Sequence, residues 1–249
     1  MNKYLKNLSR VEFVVTDMCT GKCKHCSQGE HKRNEKLDKF KAVDALRRIT
    51  AEYSINSVMT FGGEALIFPD VVCDIHKAAR ETGISHRQLI TNGYFSEDKQ
   101  KIKHVAGQLI DSGVNEILLS VDVFHQETIP VEYVKMFAGE IINSNIRVRT
   151  NPAWLSGRDA ENPYNNITRR LIEEFRQAGV EEGQGNTVFP EGNALKYFGE
   201  YFSEKGIFRN PYVEDPKNIK AVSICANGDL LGGNIIRDNV TAILSSYRP

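Results

Sequence analysis

Neither sign of charge dominates this chain: 32 Lys and Arg balance 32 Asp and Glu, and the sequence pI is about 7.0. No bulk field therefore draws it to nucleic acid or to an anionic membrane surface, and neither is expected as a partner. Long apolar runs are also missing. Nowhere do eighteen apolar residues follow one another, and Met-Asn-Lys-Tyr-Leu-Lys-Asn-Leu-Ser-Arg at the start has no apolar signal-type core, so a soluble, cytoplasmic protein is expected. Cysteine is scarce, with five in 249 residues, and three of those crowd together, which excludes a secreted disulfide framework. Internal repeats, low-complexity tracts and Pro/Ser-rich linkers are absent.

The crowded cysteines are what the sequence offers instead. Cys19, Cys23 and Cys26 stand in Cys-Thr-Gly-Lys-Cys-Lys-His-Cys, a C-x3-C-x2-C spacing. A structural zinc site or a closed iron-sulfur cluster takes four protein ligands. Three thiolates on a cubane leave one iron open to a small molecule, and an open metal position means reactivity. The alternative is a zinc-ordered, nonenzymatic interaction domain, with His25, Cys73 or Cys225 as fourth ligand. Against it, neither remote cysteine belongs to a ligand couple matching the cluster, and Val72-Cys73-Asp74-Ile75-His76 reads as an amphipathic helix in which Cys73 is a small buried hydrophobe.

The spacing resembles the signature of the radical S-adenosylmethionine (radical SAM) superfamily, in which an aromatic residue or His, here His25, precedes the third cysteine. The resemblance implies a [4Fe-4S] cluster on Cys19, Cys23 and Cys26, with SAM chelated to the unique iron. Reductive cleavage would yield a 5′-deoxyadenosyl radical that takes hydrogen from a peptide or small-metabolite substrate. It also implies an electron donor such as flavodoxin or ferredoxin. The cofactor carries the hard chemistry while the protein binds, orients and excludes water.

Strand-length apolar runs alternate with helix-length amphipathic segments, the pattern of βαβ units and a parallel sheet. Strands are expected at 11–16, 57–61, 87–91, 115–121, 146–150 and 186–189, and helices at 39–52, 70–81, 96–112, 131–144 and 168–178. Six units fit the α/β fold that the resemblance implies, a partial (β/α)6 TIM-like barrel over residues 1–194. Residues 195–249 are expected to form an extension covering the barrel, with a β-hairpin pairing Val222–Cys225 with Leu230-Leu231 across Asn227-Gly228.

Sites in such folds gather at the C-terminal ends of strands. Gly62-Gly63-Glu64 ends the second strand and resembles the family's GGE motif, which lines the amino group of SAM. Thr91-Asn92-Gly93 resembles its TNG motif. Alternation puts Ser120 and Asp122 on one face, suited to the hydroxyls and carboxylate of SAM. In place of the arginine that many relatives carry on the next helix, only Lys135 is nearby. Arg147, Arg149 and Asn151 share a face; if it points inward, Asn151 touches SAM and Arg149 a substrate anion. His125 is a plausible proton donor or polar wall. Pro190-Glu191-Gly192-Asn193-Ala194 is similar to a Gly-Arg-Ala stretch of relatives near adenine, with Asn193 replacing Arg. The segment from Ile224 to Gly233 resembles the opening of an auxiliary-cluster (SPASM or twitch) extension without its later cysteines. As the only cysteine outside the cluster on a loop-rich hairpin, Cys225 is expected to be a catalytic thiol that returns hydrogen to a substrate radical, as in peptide epimerases of the superfamily; the alternative is a hairpin core residue inherited from an extension that has lost its cluster, with a cyclase or lyase-type rearrangement as the outcome.

Overall fold

The computed structural model describes residues 2–30, 34–203, 210 and 212–249. Its centre is a six-stranded parallel sheet built from β1 (Arg10–Val14), β2 (Ser57–Phe61), β3 (His86–Thr91), β4 (Glu116–Leu119), β5 (Arg147–Thr150) and a late strand, Ala221–Ile224. Between the first five run α1 (Lys39–Glu52), α2 (Pro69–Glu81), α3 (Lys99–Ser112), the short α4 (Val123–Gln126) and α5 (Val131–Ile141). After β5 come β6 (Ala153–Trp154), α6 (Pro163–Gln177), β7 (Asn186–Thr187) and α7 (Gly192–Ser203). Ala221–Ile224 is β8, followed by β9 (Asp229–Leu230), β10 (Gly233–Asn234) and α8 (Val240–Ser246). The sheet order is β5-β4-β3-β2-β1-β8, a partial barrel of the TIM-like kind.

Local chemistry sets the element ends. Asp38 caps α1 by accepting from the N–H groups of Phe40 and Lys41, and Asp98 caps α3 through Gln100 and Lys101. Gly113, at φ 90°, ends α3 in the left-handed region that a side chain disfavours. Helix α6 starts at Pro163, behind the cap Asn162, five residues before the expected start at Thr168. Proline at the first helical position loses no hydrogen bond there, a signal the apolar periodicity alone does not carry.

Two expectations are corrected. The sixth strand of the sheet is β8, parallel to β1 with Phe13 opposite Ile224, whereas Asn186–Thr187 pairs with Ala153–Trp154 in a separate ribbon beside β5. The hairpin is also shifted. Val222–Ile224 pairs with β1, β9 pairs with β10, and the Asn227-Gly228 turn closes through Cys225 N–H to Asp229 O and Gly228 N–H to Cys225 O. Sheet neighbours far apart in sequence leave no local signal. The segment read as an extension thus supplies an edge strand to the barrel.

The two sheet faces differ in kind. Val11, Phe13, Val58, Leu89 and Ile117 are fully buried against the helices, each apolar side chain of this size contributing about 1.5–3 kcal/mol on burial. The opposite, concave face carries Arg10, Glu12 and Val14 of β1, Gln88 and Ile90 of β3, and Glu116 and Leu118 of β4, all only partly buried.

Candidate active site at the strand ends

The cysteine loop leaves the C-terminal end of β1 and is stitched to its neighbours at its base. Val15 N–H donates to Phe61 O at 2.7 Å, Leu37 N–H to Val15 O at 2.9 Å, and Thr16 Oγ1 to Glu35 O at 2.6 Å. Gly63 and Glu64 donate their N–H groups to Thr16 O (2.8 Å) and Met18 O (2.7 Å). This is why two glycines follow β2. A Cβ on Gly62 would stand 2.4 Å from Thr16 O, and one on Gly63 2.1 Å from Met18 O, so no side chain fits between the two loops.

Glu64 is fully buried. Its Oε1 accepts from Leu66 N–H (2.9 Å) and Thr91 Oγ1 (2.6 Å), and its Oε2 from Asn92 N–H (2.7 Å). Burial pushes the carboxyl up to about 7 although these three donors pull it down. Glu64 therefore locks the ends of β2 and β3 together. Asn92, 5% exposed, turns its Nδ2 to Thr20 Oγ1 (3.1 Å) and to Cys19 Sγ (3.7 Å), so the third strand's end reaches the first cysteine directly.

The second anchor of the loop is Pro190-Glu191-Gly192-Asn193. Asn193 donates its backbone N–H to Cys26 O (2.9 Å) and its Nδ2 to Cys23 O (3.2 Å). A Cβ on Gly192, at φ 54°, would lie 2.4 Å from Ser27 O. Thr128 holds the middle, accepting from Lys22 N–H at 3.1 Å. Sequence reasoning missed Thr128 and Asn193 as loop supports, since nothing local ties either to the cysteines; the Gly-Asn pair at a helix start was the one available sign.

Asp122, fully buried, caps α4. Its Oδ1 accepts from His125 N–H (2.9 Å), and its Oδ2 faces His125 Nδ1 (2.8 Å) and Ala153 N–H (2.9 Å). Burial alone opposes ionisation, but His125, His25 and the backbone donor overcome it and hold the carboxyl down to about 2. An ionised Asp122 only accepts, so His125 Nδ1 carries the proton. His25 stacks near Phe124 (5.0 Å between ring centroids) and edge-on to His125 (4.6 Å), and burial with the adjacent His125 pushes it down to about 4. Ligand-capable atoms of His25, Asp122 and His125 lie within 4.8 Å of one another, though Asp122 already spends its oxygens on three hydrogen bonds.

Ser120, 7% exposed, and the partly buried Asn151 stand at the ends of β4 and β5, with Ser120 N–H on Thr91 O (2.9 Å) and Asn151 N–H on Leu119 O (2.7 Å). Arg149 lies on the concave face, bonded to Glu116 at 2.7 Å. Lys135 is not in the site, because Glu174 draws its Nζ to 2.8 Å on the outer surface. Cys73 is buried in α2, apart from the three-cysteine loop. Cys225 follows β8 and is exposed. Alternation from Ser223, which bonds Glu12 on the concave face, gives Cys225 the same side, level with Val14.

The three loop thiols suit a metal cluster. Burial pushes Cys19 up to about 11 and raises Cys23 and Cys26 as well, and repulsion among the sulfurs adds to the shift of Cys19 and Cys23. A bound cation removes that cost, because coordinated thiols are deprotonated outright.

The model of the Radical SAM superfamily matches residues 13–200, and the chain belongs to that superfamily. Among curated relatives, the GTP 3′,8-cyclase of Alkaliphilus metalliredigens is 28% identical over 122 residues, covering 48% of this chain and 36% of that protein. The GTP 3′,8-cyclase of Clostridium acetobutylicum is 24% identical over 209 residues, 77% of this chain and 63% of the relative. The chain thus spans about a third to two thirds of the length of these relatives. The structure of Streptococcus suis SuiB bound to the precursor peptide SuiA superposes with a TM-score of 0.65 at 13% identity, covering 98% of this chain and 68% of SuiB. Native anSMEcpe with bound AdoMet and a Cp18Cys peptide gives 0.59 at 12%, with 96% and 80% covered. At such identities the likeness is one of fold. Among the described residues no helix is long and apolar enough to cross a membrane.

Proposed function

We propose that this radical SAM enzyme holds a [4Fe-4S] cluster on Cys19, Cys23 and Cys26 and acts on a peptide or small metabolite in the cytoplasm, with a flavodoxin or ferredoxin as electron donor. The observation that carries it is the convergence of three cysteines, a side-chain-free Gly62-Gly63 turn and Asn92 at adjacent strand ends, with no fourth cysteine on the loop. When bound, the cluster supplies an electron that cleaves SAM to a hydrogen-abstracting radical. Gly62 and Gly63 carry side-chain-free backbone past the methionine part of SAM, while Glu64, fully buried behind them, braces the strand ends on which that part of SAM rests. Thr91 and Asn92 fix Glu64 and the first cysteine. Ser120 and Asn151 face the ribose and carboxylate, while Asp122, buried behind them, fixes His125 and the start of β6, and His25 packs against Phe124 and His125 beside the third cysteine. The test is direct: anaerobically reconstituted protein should be brown and, once reduced, form 5′-deoxyadenosine from SAM, whereas a zinc-ordered domain does neither.

Glu64→Ala is expected to weaken SAM binding at least tenfold, about 1.4 kcal/mol, and to loosen the β2 and β3 ends, since it leaves three donors without an acceptor. Because the ionised carboxylate is the stronger acceptor for those three donors, the strand ends should tighten and wild-type SAM affinity rise with pH up to about 7 and level off above it. Calorimetric titration with SAM checks both, and a flat profile or unchanged affinity in the variant removes the role.

Cys225, exposed after β8 and level with Val14, is the residue we propose returns hydrogen to a substrate radical. A thiol exchanges with solvent, so turnover in deuterated water should leave one deuterium on product carbon. Cys225→Ser should still cleave SAM while normal product falls at least tenfold. Unlabelled product formed equally well by Cys225→Ser assigns Cys225 a structural role and favours a cyclase or lyase outcome.

A further inference from the structure

The concave face of the barrel carries a continuous charged network that none of the strand-end residues uses. Ser223 Oγ donates to Glu12 Oε2 (2.7 Å), and Arg10 Nε to Glu12 Oε1 (2.7 Å). Arg10 Nη1 donates to Gln88 Oε1 (2.9 Å), Gln88 Nε2 to Glu116, and Arg149 Nη2 bonds Glu116 Oε1 (2.7 Å). This line of bonds runs across all six strands from β8 to β5, with Arg10 reaching over β2 to Gln88. A closed barrel fills this space with bulky branched side chains. Here the charged side chains keep 13–28% of their surface, and Val14, Phe61, Ile90 and Leu118 in the layer above are only partly covered. Solvent therefore reaches this face of the sheet, the side that Cys225 shares, while Arg149 Nε beneath it is buried with no acceptor.

The charges of this lining cancel: Arg10 and Arg149 are matched by Glu12 and Glu116, and Arg147, 3.8 Å from Glu116 on the same face, is held by Glu181 at 2.6 Å. A polyphosphate entering it meets two carboxylates as well as two guanidinium groups. Each phosphate charge set beside a carboxylate is repelled about as strongly as an arginine at the same distance attracts it, so the two contributions offset one another. A group bearing one charge of each sign gains from both, its carboxylate meeting the partly exposed guanidinium of Arg149 and its ammonium meeting Glu116. We propose that the barrel interior recognises the zwitterionic head group of a free amino-acid-type substrate and turns away polyanions such as GTP, with Arg149 and Glu116 as the specificity-determining pair. This rests on the radical SAM reading of the strand-end site above it.

Equilibrium dialysis of the cluster-reconstituted protein, with SAM in excess so that methionine does not report its own subsite, tests it with two probes: the twenty free amino acids at millimolar concentration, and GTP. At least one amino acid should be retained, with retention falling at least tenfold in Glu116→Gln and in Arg149→Gln. GTP should be retained only by the Glu12→Gln/Glu116→Gln double variant, in which the cations are released. Circular dichroism checks folding, and Arg149→Lys, which keeps the charge but loses the fork, should retain less than wild type and serves if the glutamine variant does not fold. GTP held by the wild type, no amino acid held, or retention indifferent to the substitutions each overturns the proposal. Formation of 5′-deoxyadenosine by the wild-type protein in the same preparation tests the underlying enzyme reading separately.

Discussion

Single replacement of Cys19, Cys23 or Cys26 by Ala is expected to abolish formation of 5′-deoxyadenosine, at least a thousandfold, while leaving the chain folded. The three cysteines project from a loop, whereas the fold is held by the outer sheet face, where Val11, Phe13, Leu89 and Ile117 are fully buried against helices. Removing one sulfur costs that core little. Cys23 is the most buried of the three, 7% exposed, so Cys23→Ala should lower the melting temperature most, by a few degrees at about 1 kcal/mol. Iron content and chromatographic detection of 5′-deoxyadenosine measure the loss, and thermal unfolding the stability. A variant that cleaves SAM at the wild-type rate would falsify the assignment of that cysteine as a cluster ligand.

Gly63→Ala should act as severely without touching a ligand. Its Cβ would sit 2.1 Å from Met18 O and 3.0 Å from Asp17 O, both backbone atoms, so the stem of the cysteine loop has to move. The Gly63 N–H bond to Thr16 O and the Glu64 N–H bond to Met18 O hold that stem, and Met18 immediately precedes Cys19. Displacement on the order of 1 Å at a site that depends on exact placement costs about a hundredfold or more in rate. The expected result is protein that expresses and folds but retains less than half the iron of wild type after reconstitution and makes little 5′-deoxyadenosine. Full iron loading with unchanged SAM cleavage would show that the two loops separate more readily than their contacts indicate. Ala at Gly107 is the control, since nothing lies within 4 Å of a Cβ there.

Much of this was legible in the chain itself. The cysteine spacing, the Gly-Gly-Glu and Thr-Asn-Gly turns, and the boundaries of β2 and α1 all follow from residues close together in sequence, where chemistry acts through fixed spacing, caps and period. Glu64 shows the limit. Its residue type was readable, but its three donors come from Leu66, Thr91 and Asn92, and only their convergence makes it a brace.

What the linear sequence determined by itself was the chemistry available: three thiols for a cluster, the order of the first five β-α units, and a balance of 32 basic against 32 acidic residues. Only the tertiary structure decided where distant segments meet. β8 beside β1, Asn193 on the carbonyls of Cys23 and Cys26, and the line from Ser223 to Arg149 join residues up to 211 positions apart. Strand pairing and burial depend on which surfaces the whole chain brings together, and backbone hydrogen bonds are nearly blind to residue type, so neither writes a local pattern into the sequence.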